Sequence, residues 1–275
     1  MTRRPWLLVG SLLAAVIAVL VSPLAHAAPA TPGLISRPAV IGGHDAVPGA
    51  WPAVVAIGAA DRSALRGTYC GGTLITSTWV LTAAHCMAGE RTSDVVVHVG
   101  LTTLSASNGR TVPLRRIVRA AWNKRTDRND LALLELAQPV MQAPMPLASS
   151  QGSYWAGSKA TVLGWGSSKP SGRGFRDHLQ QGGVRTVRGA LCRWTWGNIN
   201  TRLQVCAGTP RRAIPVDSCS GDSGGPLVTR DSSGRPVLAG IVSFGGERCG
   251  LRDQPGVYTK TVGYLPWIRE VTGIE

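Results

Sequence analysis

Gly221-Asp222-Ser223-Gly224-Gly225-Pro226 is the stretch from which the chain is best read. A serine with glycine close on both sides sits where the backbone can bend sharply and come near a ligand. The same residues fit Gly-x-Ser-x-Gly, the nucleophile elbow of α/β-hydrolases, a fold whose His follows its Ser in the chain. No His lies beyond His178 in this chain, so that fold is excluded. A serine hydroxyl still needs a base to attack a carbonyl. His26, His44, His85, His98 and His178 are the only choices.

On both sides of that stretch, short β-branched or apolar runs recur between Gly, Pro, Ser and Asn: 53–57, 72–83, 95–99, 131–136, 160–163 and 237–244. This spacing predicts an all-β sandwich or barrel. Helical periodicity is nearly absent before Val262, Leu265, Ile268 and Val271, which predict a short closing helix starting near Pro266. A Pro-rich connection, residues 138–146, divides the body into two halves of similar length.

The first 27 residues have the form of a secretory signal peptide. Arg3 and Arg4 precede an uncharged run of 16 residues, Trp6 to Val21, and Ala25-His26-Ala27 offers a small-x-small cleavage site. As a helix that run would span about 24 Å, short of the roughly 30 Å hydrocarbon core of a membrane. The chain is therefore expected to be secreted, extracellular and free of the membrane once the leader is gone. His26 leaves with it. Cys70, Cys86, Cys192, Cys206, Cys219 and Cys249 all lie downstream, and an even count in an exported chain argues for three disulfides. Spacing alone leaves 15 pairings open. No Cys-x-x-Cys and no His-Glu-x-x-His supports a metal site instead.

From Val40 onward the chain holds 26 basic and 15 acidic residues. This surface would be drawn to polyanions. However, the basic residues are scattered and lack interleaved aromatics, so a solvated surface is the simpler reading and no specific nucleic-acid binding is expected.

His85 stands in Thr82-Ala83-Ala84-His85-Cys86, at the end of an apolar run. With Asn129-Asp130-Leu131-Ala132-Leu133 and the Ser223 stretch, in that order, the chain resembles a trypsin-like (chymotrypsin-family) serine protease. Cys70-Gly71-Gly72-Thr73-Leu74-Ile75, Gly164-Trp165-Gly166, Cys206-Ala207-Gly208 and Pro255-Gly256-Val257-Tyr258 extend the resemblance from Val40 to the C-terminus. A subtilisin-type hydrolase, with Asp45 or Asp61 first, lacks these surroundings. A non-catalytic binding protein on this fold would usually lack one of the three reactive residues, and all are present.

The resemblance implies two packed six-stranded antiparallel β-barrels with a short C-terminal helix, barrel one about 40–145 and barrel two about 146–275. It implies a serine endopeptidase acting through a Ser-His-Asp triad and an acyl-enzyme. Ser223 would be the nucleophile, His85 the base and Asp130 its orienting carboxylate, with the N–H groups of Gly221 and Ser223 as oxyanion hole. It pairs Cys70 with Cys86, Cys192 with Cys206, and Cys219 with Cys249. Asp217 would form the base of the primary specificity pocket, Gly245 and Gly256 its open walls, and Ser243-Phe244-Gly245 an edge for the substrate backbone. Cleavage after Arg or Lys is expected, on protein or peptide substrates, with protein protease inhibitors as further partners.

Val40-Ile41-Gly42-Gly43 resembles the family's mature N-terminus, which makes residues 28–39 a propeptide. The freed ammonium of Val40 would pair with Asp222. Ala39 is no tryptic site and Arg37-Pro38 a poor one, so another protease is expected to remove the propeptide. Val95 to Thr126, the counterpart of a calcium loop in many trypsins, holds no Asp or Glu. Neither metal nor cofactor is expected, and the enzyme is expected to be a monomer.

Overall fold

The computed structural model describes Thr2 and residues 40–209, 215–251 and 253–274. The expected signal peptide, apart from Thr2, and the whole of the expected propeptide, 28–39, lie outside the described residues. Ser36–Glu275 form one compact unit.

Thirteen strands carry the fold: β1 (His44–Asp45), β2 (Val54–Ala59), β3 (Thr68–Leu74), β4 (Trp79–Thr82), β5 (Val95–Val99), β6 (Arg110–Arg119), β7 (Ala132–Leu136), β8 (Lys159–Gly164), β9 (Gln180–Thr186), β10 (Gln204–Gly208), β11 (Pro226–Arg230), β12 (Pro236–Phe244) and β13 (Gly256–Lys260). The first barrel closes in the order β2-β3-β4-β7-β6-β5. The second closes as β9-β10-β13-β12-β11-β8, because β8 also pairs with β9. All named pairings are antiparallel. The fold is thus the all-β pair of six-stranded barrels that the resemblance implies.

Side-chain alternation explains which face each strand buries. In β6, Val112 and Leu114 are buried while Thr111, Pro113 and Arg115 are exposed, the period of two expected of a strand with one face in a core. β5 is buried along its whole length, and its four valines suit a closed, two-sided environment. The 72–83 run, continuous in its apolar character, is two strands. Thr76 Oγ1 accepts hydrogen bonds from the N–H groups of Thr78 (3.1 Å) and Trp79 (3.0 Å), which bends the chain between them.

Among the described residues, three α-helices accompany the barrels: α1 (Ala64–Gly67), α2 (Gly189–Trp196) and α3 (Leu265–Thr272). α3 carries Pro266 in its first turn, buries Ile268, and ends where Gly273 turns left-handed at φ 72° and donates to Arg269 O at 2.8 Å. α2 escapes a periodicity reading because only Cys192 is buried along it, leaving no apolar stripe. The disulfide from Cys192 to Cys206 in β10 ties α2 down.

The two flanks of the described body cross over between its halves. β1 pairs with β9 of the second barrel, and Val40, fully buried, belongs to that barrel's core with Val162, Val184, Leu227 and Tyr258. Tyr264 and Ile268, at the other end, pack into the cluster formed by the first barrel's Val55, Leu81, Leu133 and their neighbours. No helix among the described residues is long and apolar enough to cross a membrane.

Candidate active site

β4 ends at Thr82, and Ala83-Ala84, both fully buried, lead into a short 3-10 turn, His85–Met87. A disulfide from Cys86 to Cys70 in β3 braces this turn. Ahead of Asp130 the backbone is unusual: Asn129 has φ 57°. Its amide nitrogen donates to Ala121 O at 2.9 Å and its Oδ1 accepts from Tyr264 Oη at 2.9 Å, which holds a conformation few non-glycine residues adopt.

Asp130 is fully buried and accepts three hydrogen bonds: His85 N to Oδ1 at 2.8 Å, His85 Nδ1 to Oδ2 at 2.7 Å, and Ser243 Oγ to Oδ2 at 2.6 Å. Its backbone carbonyl accepts from Thr259 Oγ1 at 3.0 Å. With Oδ2 facing it, Nδ1 of His85 carries the proton, which leaves Nε2 as the basic nitrogen when the ring is neutral. The His85 side chain is 28% exposed.

Ser223 lies on a turn in which Asp222 N donates to Cys219 O and Gly225 N to Asp222 O, both at 2.9 Å. The turn is pinned on two sides: Gly224 N donates to Val242 O, and Ser223 O accepts from Gly71 N, both at 2.8 Å. Gly224 has φ 77°, and a Cβ there would strike Thr82 Oγ1 and the Gly71 carbonyl. Only glycine fits so close to the strand that leads to His85. Among the described residues the N–H groups of Gly221 and Ser223 and the hydroxyl of Ser223 make no hydrogen bond. The structure therefore joins His85 to Asp130 directly, while Ser223 Oγ and His85 Nε2 are not hydrogen-bonded. His85 Nε2 instead lies 3.7 Å from Cys86 Sγ. A nucleophile–base contact of this kind is often loose without substrate.

Asp217 is 5% exposed. Its Oδ2 accepts from Gly250 N at 3.1 Å, and its Oδ1 is buried with no partner among the described residues. Burial pushes this carboxyl up to about 7, against the pull of backbone hydrogen bonds. A Cβ at Gly256 would come within 2.8 Å of Asp217 Oδ1, whereas one at Gly245 would meet nothing within 4 Å. Cys219, two residues on, is joined to Cys249, as the resemblance implies. Ser243 sits on β12, its side chain turned to Asp130 rather than outward.

Asp222 is fully buried and accepts from Gly166 N and Cys219 N, each at 2.9 Å. Burial raises it to about 7, and no cation among the described residues offsets this. Ile41 forms an isolated antiparallel bridge with Asp217, which places the segment after Val40 beside that buried carboxyl.

The sequence reading missed two neighbours of His85. The Trp122 ring stands 6.4 Å from the His85 ring. Asp127, in the same loop at φ 46°, is raised by partial burial and then by the charge of Asp130, while His85 draws it down. His44, His98 and His178 have structural partners in Gln181, Thr111 and the pair Thr103 and Ala46. Trp196 packs edge-on against Phe244 at 5.5 Å, while Trp194 is exposed. Cys70, His85 and Cys86 cluster tightly enough to suggest a metal site, but both sulfurs are tied up in one disulfide and offer no thiolate.

The family model described as Trypsin matches residues 40–268, most of the chain. This protein belongs to the trypsin family and is a serine endopeptidase, a hydrolase whose substrates are proteins.

Proposed function

We propose that the protein is secreted and, once residues 1–39 are removed, cleaves peptide bonds after Arg or Lys through Ser223, His85 and Asp130. Ser223 Oγ attacks the scissile carbonyl carbon while His85 Nε2 takes the hydroxyl proton. Asp130, held at Nδ1, keeps the ring in the required tautomer and stabilises the imidazolium. The N–H groups of Gly221 and Ser223 receive the oxyanion; each such donor is worth about 2.7–4 kcal/mol of transition-state stabilisation. His85 then protonates the leaving amine as the C–N bond breaks, and water repeats the sequence on the acyl-enzyme.

The observation that carries the Arg/Lys preference is the partnerless, buried Oδ1 of Asp217. A buried carboxylate without a counter-charge is costly, so the pocket favours a side chain that brings a cation. Gly245 and Gly256 leave it room to enter. The free Val40 ammonium is proposed to pair with Asp222 on activation and so order the Ser223 turn. Breaking such a pair typically costs about 3–5 kcal/mol, enough to act as a switch.

The test is hydrolysis of chromogenic Arg, Lys, Phe and Ala substrates by protein beginning at Val40, with Ser223→Ala as control. Arg and Lys substrates are expected to be cleaved far faster than the others and only by the unsubstituted protein. Equal rates on Phe, or undiminished activity in Ser223→Ala, would overturn the proposal.

A further inference from the structure

The outer face of the second barrel carries three cations in a row. In the β8–β9 register Lys159 lies directly opposite Arg185, and Thr161 opposite Gly183. On the other side of β8, Val228 of β11 lies opposite Thr161. Continuing that register by two residues sets Arg230 opposite Lys159. Arg185, Lys159 and Arg230 are all exposed and sit on three adjacent strands. Neighbouring strands lie about 4.8 Å apart, so the row spans about 10 Å.

Like charges directly opposite one another weaken a sheet. Among the described residues, those lining the surrounding cavity include no Asp or Glu to offset this row. Asp231, which follows Arg230 in sequence, is engaged by Arg235 and Ser233. Two of the cations are held in place, since Arg185 donates to Gly157 O at 2.7 Å and Arg230 to Gly234 O at 2.6 Å. Each guanidinium has five N–H donors, so both keep donors for a ligand.

The cavity has a volume of about 1020 Å³ and is open to solvent. That is the size of a site for an organic molecule rather than a single inorganic ion. Gly183 leaves its floor clear, since nothing lies within 4 Å of where its Cβ would stand. Trp51, half-buried and fixed by Nε1 to Gln181 Oε1 at 2.7 Å, forms part of the wall. An indole beside a row of cations suits a ring that is apolar on its face and anionic at its edge. None of His85, Asp130, Ser223 or Asp217 lines the cavity.

We propose that this trough is a binding site for an anionic glycan, a chain of sugar rings bearing sulfate or carboxylate groups. The row of cations pairs with the anionic groups, and Trp51 and Gly183 accommodate one ring. The site is independent of the catalytic reading and holds whether or not Ser223 is the nucleophile.

The test measures binding of a heparin-derived octasaccharide to the purified protein by calorimetry. Uncharged maltooctaose and a short DNA duplex serve as comparisons, alongside two variants. Lys159→Gln/Arg185→Gln/Arg230→Gln removes the charges; Gly183→Phe fills the floor and leaves them in place. The octasaccharide is expected to bind, more weakly as salt rises, and each variant to lose at least tenfold in affinity with hydrolytic activity unchanged. An Arg115→Gln/Arg116→Gln variant, on the exposed face of β6, is expected to bind normally. Absence of binding, equal binding by the trough variants, or equally tight and equally trough-dependent binding of DNA would overturn the proposal.

Discussion

Ser243 Oγ donates to Asp130 Oδ2 at 2.6 Å, although the two residues are 113 positions apart and belong to different barrels. The bond stabilises the ionised carboxylate that orients His85. Ser243→Ala removes one of three donors. A hydrogen bond to a charged group is worth about 1.5–3 kcal/mol, and the two remaining donors place the loss at the lower end. A fall of up to about tenfold in kcat/KM on an Arg substrate is expected, with KM little changed. A full steady-state analysis checks it.

Replacing Asp130 with Asn tests the proposed triad more severely. The amide can present an N–H to Nδ1 and so favour the wrong tautomer. The expected loss is about ten-thousandfold in kcat, the size this exchange has in the chymotrypsin family rather than one drawn from this geometry. A loss below tenfold would remove Asp130 from the mechanism.

The pocket proposed around Asp217 should bind a small cation, such as benzamidine, more tightly as pH rises. Asp217, raised to about 7, is largely protonated at pH 5.5 and largely ionised at pH 8.5. Affinity measured across that window should climb and then level. Asp217→Ser should flatten the profile and remove the preference for Arg and Lys over Phe. An unchanged preference would show that Asp217 does not set it.

Stability should move the other way. Asp217 and Asp222 both hold protons in the folded state up to about 7, whereas unfolded carboxylates release theirs near 4. Across that window the folded protein binds more protons than the unfolded one, so stability falls as pH rises. The contribution is complete below about 4 and lost above about 7. In full-length Ser223→Ala protein the melting temperature is expected to drop between pH 5 and pH 8, and adding Asp217→Asn should shrink the drop. A drop of the same size in both would contradict the assignment.

Gly245 and Gly256 should respond differently to alanine. At Gly256 the new methyl would come within 2.8 Å of Asp217 Oδ1, so both thermal stability and turnover of Arg substrates should suffer. At Gly245 the methyl meets open space, so the melting temperature should hold while KM for Arg substrates rises. Calorimetry paired with kinetics separates the two.

Much of this was legible in the chain because the chemistry is local. The stretches around His85, Asp130 and Ser223 are short, and each carries its own turn geometry in residues such as Asn129 and Gly224. The closing helix showed in the period of Val262 to Val271. α2 did not, since a disulfide rather than an apolar stripe holds it. The Ser243–Asp130 bond and the approach of Trp122 to His85 arise from folding that joins distant segments, and no spacing in sequence reports them. The row of Arg185, Lys159 and Arg230 looked scattered for the same reason: strand register alone aligns it.

Because Val40 is rooted in the second barrel's core while Ile268 packs into the cluster that holds the first barrel's Val55, Leu81 and Leu133, the two flanks of the described body each act as a clasp on the half to which they do not belong in sequence. Cutting the protein at the Pro-rich midpoint would therefore yield two fragments that each lack a piece of their own hydrophobic filling. Neither should persist alone, yet the pair mixed together should reassemble.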